Sequence, residues 1–308
     1  MDEQEAITTR FAGTVAVWYS AHYQSDPRDW NNIQEFQGQY HPLYGYYRCD
    51  DPQILRRQLH DMRRAGIDAI VYDCYGTAKF ELTDLPNDRT LALLAQELAH
   101  QENESRKLKL IIWLEKYFVN PTLEGYRFAL KYVREHLADR AFYFHYADRP
   151  LVVTYHNGAN LAIDEIEWEN DTFTLRRIRP YHSDVWSYVE HYPQRLGREW
   201  MVVSPGSDPY LELAYLAKYY HKEPAPNYAK IRADSRKSAA DREGGEYFKR
   251  QLLRARYGSP NIIFISGWND WQYANHIEPA VEYGYQYVDM AARLLGREAE
   301  TAPYREGQ

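Results

Sequence analysis

The sequence lacks several features that would place it in a common class of protein. Its 308 residues include only two cysteines, Cys49 and Cys74, which are too few for a disulfide framework and match no metal-ligand spacing. No apolar run reaches the roughly 18 residues that a membrane-spanning helix needs. The acidic start, MDEQEAITTRFAG, has no apolar core like that of a signal peptide. We therefore expect two free thiols and a cytoplasmic protein, or a secreted one if a leader has been removed.

Concentrated charge and nucleotide-binding loops are also absent. The formal net charge is −7, and no block of five or six like charges occurs, which argues against a nucleic-acid or membrane partner. No G-x-G-x-x-G or P-loop follows any apolar strand, so the usual dinucleotide and nucleotide fingerprints are missing. We expect no cofactor and no metal ion.

Tyrosine is the residue that the sequence has in excess. The chain contains 29 Tyr, 10 Phe and 8 Trp. A tyrosine ring packs well while its hydroxyl group needs a partner, which suits half-buried positions. A large aromatic core would explain this composition, and so would a groove that binds sugars.

Short apolar strands alternate with amphipathic helices along the chain. Strands are predicted at 14–20, 67–76, 108–117, 149–156, 199–206 and 261–268, and helices at 51–66, 90–101, 124–137, 244–258 and 283–297. This pattern indicates a parallel sheet covered by helices, either a (β/α)8 barrel or an open doubly wound sheet. The absence of a nucleotide loop favours the barrel, which typically takes about 250 residues plus insertions. We expect one barrel domain over 1–308, with tails at 1–12 and 300–308 and irregular insertions at 157–198 and 207–243.

Carboxylates and aromatic residues follow the ends of most of these strands. In a (β/α)8 barrel the active site lies at the carboxyl ends of the strands. Glycoside cleavage needs two carboxyl groups there, and aromatic rings offer flat faces to sugars. A single aspartate at such a position is more often a helix cap or an ion-pair partner, but agreement among several strands favours function. The candidates are Tyr19, Asp73, Tyr75, Glu115, Tyr117, His156, Asp208, Trp268, Asn269, Asp270 and Trp271.

The stretch GWNDWQYANHIEP (267–279) resembles the W-N-E-W-x-E-G-x-x-I-E-P signature of glycoside hydrolase family 99, the endo-α-mannosidases and endo-α-mannanases. Residues 41–76, VVSPG (202–206) and REGGEYFKRQL (242–252, with Arg242 and Tyr247) are similar to further family segments. The W-N-D form also resembles the family 71 α-1,3-glucanases. IEPAVEYGYQYVDMA is similar to the tail of family-99-like domains that accompany polysaccharide biosynthesis enzymes. The resemblance implies a (β/α)8 barrel that acts on α-linked glycans.

Carried over by position, the resemblance implies a catalytic role for two residues of this motif. The family's first glutamate acts as a base on the sugar 2-hydroxyl group, giving a 1,2-anhydro sugar, and corresponds to Asp270. Its second glutamate, the general acid/base, corresponds to Tyr273, whose unperturbed pKa near 10 makes it a poor proton shuttle at neutral pH. The acid therefore comes from elsewhere, the chemistry differs, or the site only binds. Glu115 is the best replacement, and Asp73 the second.

The leading interpretation is a metal-independent glycoside hydrolase, endo-acting on an α-mannan or α-glucan type of glycan, with carbohydrate as its partner. The alternative is a catalytically weakened carbohydrate-binding or biosynthesis-associated barrel. Predicted catalytic residues are Asp270, Glu115 and Tyr273. Predicted substrate-binding residues are Tyr19, Asp73, Tyr75, Tyr117, His156, Asp208, Arg242, Tyr247, Trp268, Asn269, Trp271, His276 and Glu278, although His276 could equally serve packing and Glu278 could brace the loop.

Overall fold

A curled, mainly parallel sheet forms the centre of the molecule in a computed structural model. The structure describes residues 8–21, 28–75, 82–115, 122–155, 170–178, 199–220 and 226–297, together with 4, 23 and 166. Its strands are β1 (Thr14–Ser20), β2 (Ala69–Tyr75), β3 (Lys109–Glu115), β4 (His145–Tyr146), β5 (Arg149–Tyr155), β6 (Thr174–Ile178), β7 (Trp200–Val203), β8 (Ile262–Ile265), β9 (Asn269–Asp270) and β10 (Asn275–His276).

Helices connect and cover these strands. They are α1 (Arg28–Glu35), α2 (Pro52–Arg64), α3 (Arg89–Ala99), α4 (Leu123–His136), α5 (Tyr210–Tyr220), α6 (Tyr228–Ser235), α7 (Glu246–Gly258) and α8 (Gln286–Leu294). Helix α2 illustrates how the sequence sets its limits. Asp51 caps its first turn through the Gln53 N–H, Pro52 occupies the first turn, and Gly66 takes the positive φ of 80° that ends it.

The seven long strands pair in parallel in the order β6-β5-β3-β2-β1-β8-β7, and β4 adds a short antiparallel edge to β5. Contacts between aromatic rings of strands that are not adjacent in the sheet show that the sheet curls. Trp113 of β3 stacks on Phe264 of β8 at 6.1 Å between centroids, and Trp200 of β7 lies 4.4 Å from Phe264. The fold is therefore a mixed α/β, barrel-like one. No pairing joins β6 to β7 among the described residues, so a closed eight-stranded barrel stays a prediction, although Arg176 of β6 pairs with Glu199 beside β7 at 3.2 Å.

Two hydrophobic layers follow from the alternation of side chains along each strand. The inner layer fills the curl with residues such as Ala16, Val71, Trp113, Val202 and Phe264. The outer layer lies between the sheet and the helices. Burial of apolar surface on both faces explains why the strands read as continuous apolar runs. Cys49 and Cys74 are both buried, and neither forms a disulfide.

The structure corrects the prediction of irregular insertions. Residues 207–243 contain α5 and α6, and β6 lies within the segment 157–198. Helix α5 (YLELAYLAKYY) carries large apolar residues on all sides, and β6 (TLRRI) places two arginines mid-strand, so neither shows a clean periodicity. Helix α1 was not predicted either. Phe11, inside the predicted N-terminal tail, packs in the core.

No described helix combines the length and the apolar character that crossing a bilayer requires.

Candidate active site

The motif at 267–278 folds into a small hairpin at the carboxyl end of β8. Strand β9 pairs antiparallel with β10, with Asp270 opposite Asn275 and Asn269 opposite His276. Gly267 is required at the base of this hairpin, because a Cβ atom there would lie 1.7 Å from the carbonyl oxygen of Asn275. The hairpin therefore closes tightly over the end of its strand.

Asn269 fastens this hairpin to β1. Its Oδ1 accepts a hydrogen bond from Ser20 N, and its Nδ2 donates to Ser20 O, both at 2.8 Å. Trp268 N donates to Trp18 O at 2.7 Å. Asn269 and Trp268 are fully buried. Their hydrogen bonds to Ser20 and Trp18 therefore continue the contact between β8 and β1 beyond the end of β8.

Glu278, at the other end of the motif, is a buried acceptor of three hydrogen bonds. Tyr47 and Trp271 donate to its Oε2 at 2.6 and 2.8 Å, and Gln58 donates to its Oε1 at 2.6 Å. Burial outweighs these donors and raises the pKa of Glu278 to about 7. Its contacts are those of a residue that braces the loop.

His276 and Arg242 stabilise the returning strand β10. The His276 ring is fully buried and stacks on Trp271 at 3.7 Å between centroids. Burial and the nearby Arg242 guanidinium lower the pKa of His276 well below its usual value, so its ring is neutral at physiological pH. Arg242 Nη2 donates to the carbonyl oxygens of Ala274 and His276 at 2.7 and 2.8 Å.

Three tyrosines surround the Arg242 guanidinium. Its Cζ lies 4.7 Å from the ring centroids of Tyr40 and Tyr287 and 5.4 Å from that of Tyr283. Such cation–π contacts stabilise a buried cation that has few acceptors. Arg242, which the sequence predicts to bind substrate, is 6% exposed as a residue, and its guanidinium donates to the hairpin.

The partly exposed face of the hairpin consists of Asp270, Gln272, Tyr273 and Asn275. Asn275 Oδ1 accepts hydrogen bonds from the hydroxyl groups of Ser266 and Ser204 at 2.8 and 3.2 Å. These two bonds orient the amide, and its Nδ2 then lies 3.5 Å from Asp270 Oδ2. Ser204, Ser266 and Asn275 thus form a hydrogen-bonded polar group next to the Asp270 carboxyl group.

Asp270 has a perturbed pKa at this partly exposed position. Burial is the main cause and raises the pKa of Asp270 to about 7; the Tyr273 backbone N–H and Asn275 Nδ2 oppose this by stabilising the charged form. A nearby carboxylate, Glu212, adds to the upward shift. A carboxyl group that changes charge near neutral pH can take up and release protons during a reaction.

Glu212 is the neighbour that the sequence analysis missed. It lies in the first turn of α5, partly exposed, and burial raises its pKa to about 6. The segment was predicted to be irregular, so no helix was expected to bring Glu212 to the hairpin. The Asp208-Pro209 pair that opens the helix is a helix-start signal that could have revealed it.

Asp208 joins α5 to the hairpin. Its backbone N–H donates to Tyr273 O at 2.7 Å, and its Oδ1 accepts from Tyr210 N at 3.0 Å. Its Oδ2 pairs with Arg232 at 3.3 Å. Both carboxylate oxygens of Asp208 therefore have protein partners, as in a helix cap.

Asp73 reaches the same rim from β2. Its backbone lies opposite Ser20 of β1, which in turn bonds to Asn269, and its side chain is 2% exposed. By alternation with Ala69 and Val71 it faces the inside of the curl. Asp73 and the hairpin thus lie at the carboxyl ends of β2 and β8, the two strands that flank β1.

The remaining predicted residues lie in several different places. Tyr75 and Glu115 lie opposite each other where β2 and β3 end, and only their backbones are described; Tyr117 and His156 lie outside the described residues. Tyr19 points away from the rim, because its hydroxyl group donates to Gln58 at 2.9 Å between the sheet and α2. Tyr247 is partly exposed at the start of α7.

No group of three or more potential metal ligands occurs within the described part of the chain. Carboxyl groups, an amide and hydroxyl groups lie beside aromatic rings at this sheet edge. Such groups are suited to proton transfer on an uncharged polar ligand.

The chain is a barrel-like α/β scaffold that carries carboxyl groups, an amide and aromatic rings at one rim. The chain is similar to the solved structure of the GH99 endo-alpha-mannosidase from Bacteroides thetaiotaomicron, with a TM-score of 0.66 and 16% sequence identity over 91% of this chain and 96% of that one. The same enzyme in complex with bis-tris-propane gives the same TM-score and identity, with 95% of that chain covered. A glycoside hydrolase-like protein matches with a TM-score of 0.57, at 10% identity over 96% of this chain. No protein-family model matches the sequence, and no curated protein matches it. At these identities the likeness is one of fold.

Proposed function

We propose that this chain is a glycoside hydrolase that cleaves O-glycosidic bonds within an α-linked glycan of the α-mannan or α-glucan type. The observation that carries the proposal is the place of Asp270, a partly exposed carboxyl group held beside Asn275 in a motif similar to that of endo-α-mannosidases, with its pKa raised to about 7. The fold similarity to a GH99 endo-alpha-mannosidase supports the same class of substrate.

Asp270 is the base in this proposal. A general base works best when its pKa lies near the working pH, and its hydrogen bonds to the Tyr273 N–H and Asn275 stabilise the ionised form that accepts a proton. A second carboxyl group must protonate the leaving oxygen. Tyr273 occupies the position of the family's acid and contacts sugar, and Glu115 at the end of β3 is the donor that the sequence predicts.

The test is a screen for new reducing ends on a panel of α-mannans and α-glucans, with the product anomers followed by NMR. Endo action predicts oligosaccharide products before any monosaccharide accumulates. A mechanism based on carboxyl groups predicts that EDTA leaves the rate unchanged. Loss of turnover in EDTA, restored by a divalent cation, would overturn the metal-independent part of the proposal.

A carbohydrate-binding barrel without turnover is the second candidate. Tyr273 favours it, because a tyrosine stands where the resembled family has its acid. Calorimetric titration separates the two: a glycan that binds tightly, with no products after prolonged incubation at micromolar enzyme, would support the binder and overturn the hydrolase.

A further inference from the structure

We propose that Glu212 is the second carboxyl group of the active site and gives its proton to the leaving oxygen while Asp270 acts as the base. This inference rests on the proposed hydrolase function. It replaces the sequence-based choice of Glu115 with a residue that the fold brings to the hairpin.

The position of Glu212 follows from the contact between α5 and the hairpin. The Asp208 N–H donates to Tyr273 O at 2.7 Å, which fixes the start of α5 against the turn that carries Asp270 and Tyr273. Asp208 also caps the helix through Tyr210 N, so the first turn has a defined direction. Glu212 lies in that turn, near enough to Asp270 for its carboxylate to raise the pKa of Asp270.

The surroundings of Glu212 suit a proton donor. It is partly exposed, so a ligand can reach it, and within the described part of the chain its carboxyl group has no hydrogen-bond or ion-pair partner. A carboxyl group that is partly removed from water and has no donor near it favours its neutral form, which is why its pKa is raised to about 6. Asp208, four residues earlier, makes two such contacts and is committed to structure.

Hydrogen-bond donors distinguish the roles of the two carboxyl groups. Burial raises the pKa of Asp270 to about 7 and that of Glu212 to about 6, so near neutral pH the free chain holds a shared proton on Asp270 more often than on Glu212. A bound sugar removes further water from both groups. The proposed step uses the less populated distribution of that proton, in which the Tyr273 N–H and Asn275 stabilise the charge on Asp270 and Glu212, which lacks donors, holds the proton.

The chemical step balances with these two groups alone. The attacking hydroxyl group, either that of water or the sugar's own 2-hydroxyl, forms a bond to C1 and gives its proton to Asp270. The C1–O bond to the leaving sugar breaks, its electron pair stays on the leaving oxygen, and that oxygen takes the proton of Glu212. If the 2-hydroxyl attacks, the groups then reverse roles. Water adds to C1 and gives its proton to Glu212, the C1–O2 bond of the anhydro sugar breaks, and Asp270 returns its proton to the 2-oxygen.

A simpler role for Glu212 is to stabilise α5 through the helix dipole, since carboxylates favour the first turn of a helix. Glu246 provides a matched control, because it also lies in the first turn of a helix, α7, and is exposed. A purely structural role predicts the same small effect for both substitutions.

The experiment compares Glu212→Gln, Glu115→Gln and Glu246→Gln on two substrates, the α-linked glycan that the wild-type chain cleaves and the corresponding α-glycosyl fluoride. Fluoride leaves without protonation, so only the glycan needs the acid. We expect Glu212→Gln to lower kcat on the glycan by on the order of 10²- to 10⁴-fold, and kcat on the fluoride by less than about tenfold. The decrease in activity at alkaline pH should also disappear in this variant. Glu246→Gln should retain full activity, and Glu212→Asp should recover part of the loss.

Each result decides one point. Two results overturn the role of Glu212 and leave the proposed function standing. In the first, Glu212→Gln cleaves the glycan as fast as the wild type. In the second, Glu115→Gln, and not Glu212→Gln, loses activity on the glycan while it keeps activity on the fluoride. A wild-type chain that cleaves neither substrate overturns the function, and the role of Glu212 with it. A ¹³C NMR titration of the Asp270 carboxyl adds a readout without turnover: its pKa should fall in Glu212→Gln and stay unchanged in Glu246→Gln.

Discussion

Asp270 experiences two opposing influences that together set its chemistry. Burial favours its neutral form, while the Tyr273 N–H and Asn275 Nδ2 favour its charge, and the result is a pKa of about 7. Asn275 can donate to Asp270 because Ser204 and Ser266 occupy its amide oxygen. These four neighbours, together with the Glu212 carboxylate, therefore set the behaviour of one carboxyl group.

Replacing Asp270 with asparagine removes the proton acceptor and keeps the shape of the side chain. We expect kcat to fall by about 10²- to 10⁴-fold, with an unchanged circular dichroism spectrum. In the wild-type chain kcat/KM should rise as the pH increases toward about 7, because only the ionised form accepts a proton, and this acid limb should vanish in Asp270→Asn. Turnover unaffected by the substitution would remove Asp270 from the mechanism.

Tyr273 lies beside Asp270 on the partly exposed face of the hairpin. If it only contacts sugar, Tyr273→Phe keeps the ring and loses one hydroxyl contact, which costs about 0.5–1.5 kcal/mol, or roughly tenfold in kcat/KM at most. We expect this small effect in steady-state kinetics. A loss of 100-fold or more, with the affinity for glycan unchanged, would instead make the phenol the proton donor. Tyr273→Glu restores the pattern of the resembled family and should increase hydrolysis only if Glu212 is not the acid.

At the scale of elements, the β9–β10 hairpin depends on a side chain from outside it. Arg242 donates to two hairpin carbonyls from within a cage of three tyrosines. Arg242→Met leaves both carbonyl groups buried without that donor, so we expect the free energy of unfolding to fall by roughly 3 kcal/mol in urea titrations. Arg250→Met, which breaks an exposed ion pair with Glu243, is the matched control and should match the wild type. Equal stability of the two variants would contradict the role of Arg242 in the hairpin.

The elements also separate what the sequence could predict from what it could not. Strands such as β2 and helices such as α2 were predicted within about two residues, because apolar periodicity and terminal Pro and Gly residues mark them. Asp270 was found because a motif carries it. Glu212 was missed because α5 has no polar face in its sequence, and Tyr19 was assigned to the rim because strand position alone does not tell which face of the sheet a side chain takes.

At the scale of the whole molecule, buried titratable groups make stability depend on pH in two directions. The pKa of His276 in the folded chain is lowered well below the ordinary histidine value of 6.5. Below pH 6.5 the unfolded chain therefore binds more protons than the folded chain, and stability decreases as the pH falls further. Glu278 acts in the opposite sense. Its pKa rises from an ordinary 4.5 to about 7, so the folded chain binds more protons between these values, and its contribution is lost as the pH rises through this window.

Glu278→Gln isolates the second effect, because glutamine fills the same site and does not titrate. The difference between about 7 and 4.5 corresponds to roughly 3 kcal/mol. We therefore expect the free energy of unfolding of Glu278→Gln, relative to the wild type, to increase by about that amount from pH 4.5 to 7.5 in urea titrations at constant ionic strength. Any lost hydrogen bond shifts the whole curve by a constant and does not change this slope. A difference between variant and wild type that stays flat over the window would mean that Tyr47, Gln58 and Trp271 keep Glu278 ionised despite its burial. The loop would then be braced by a charge rather than by a proton-bearing carboxyl group.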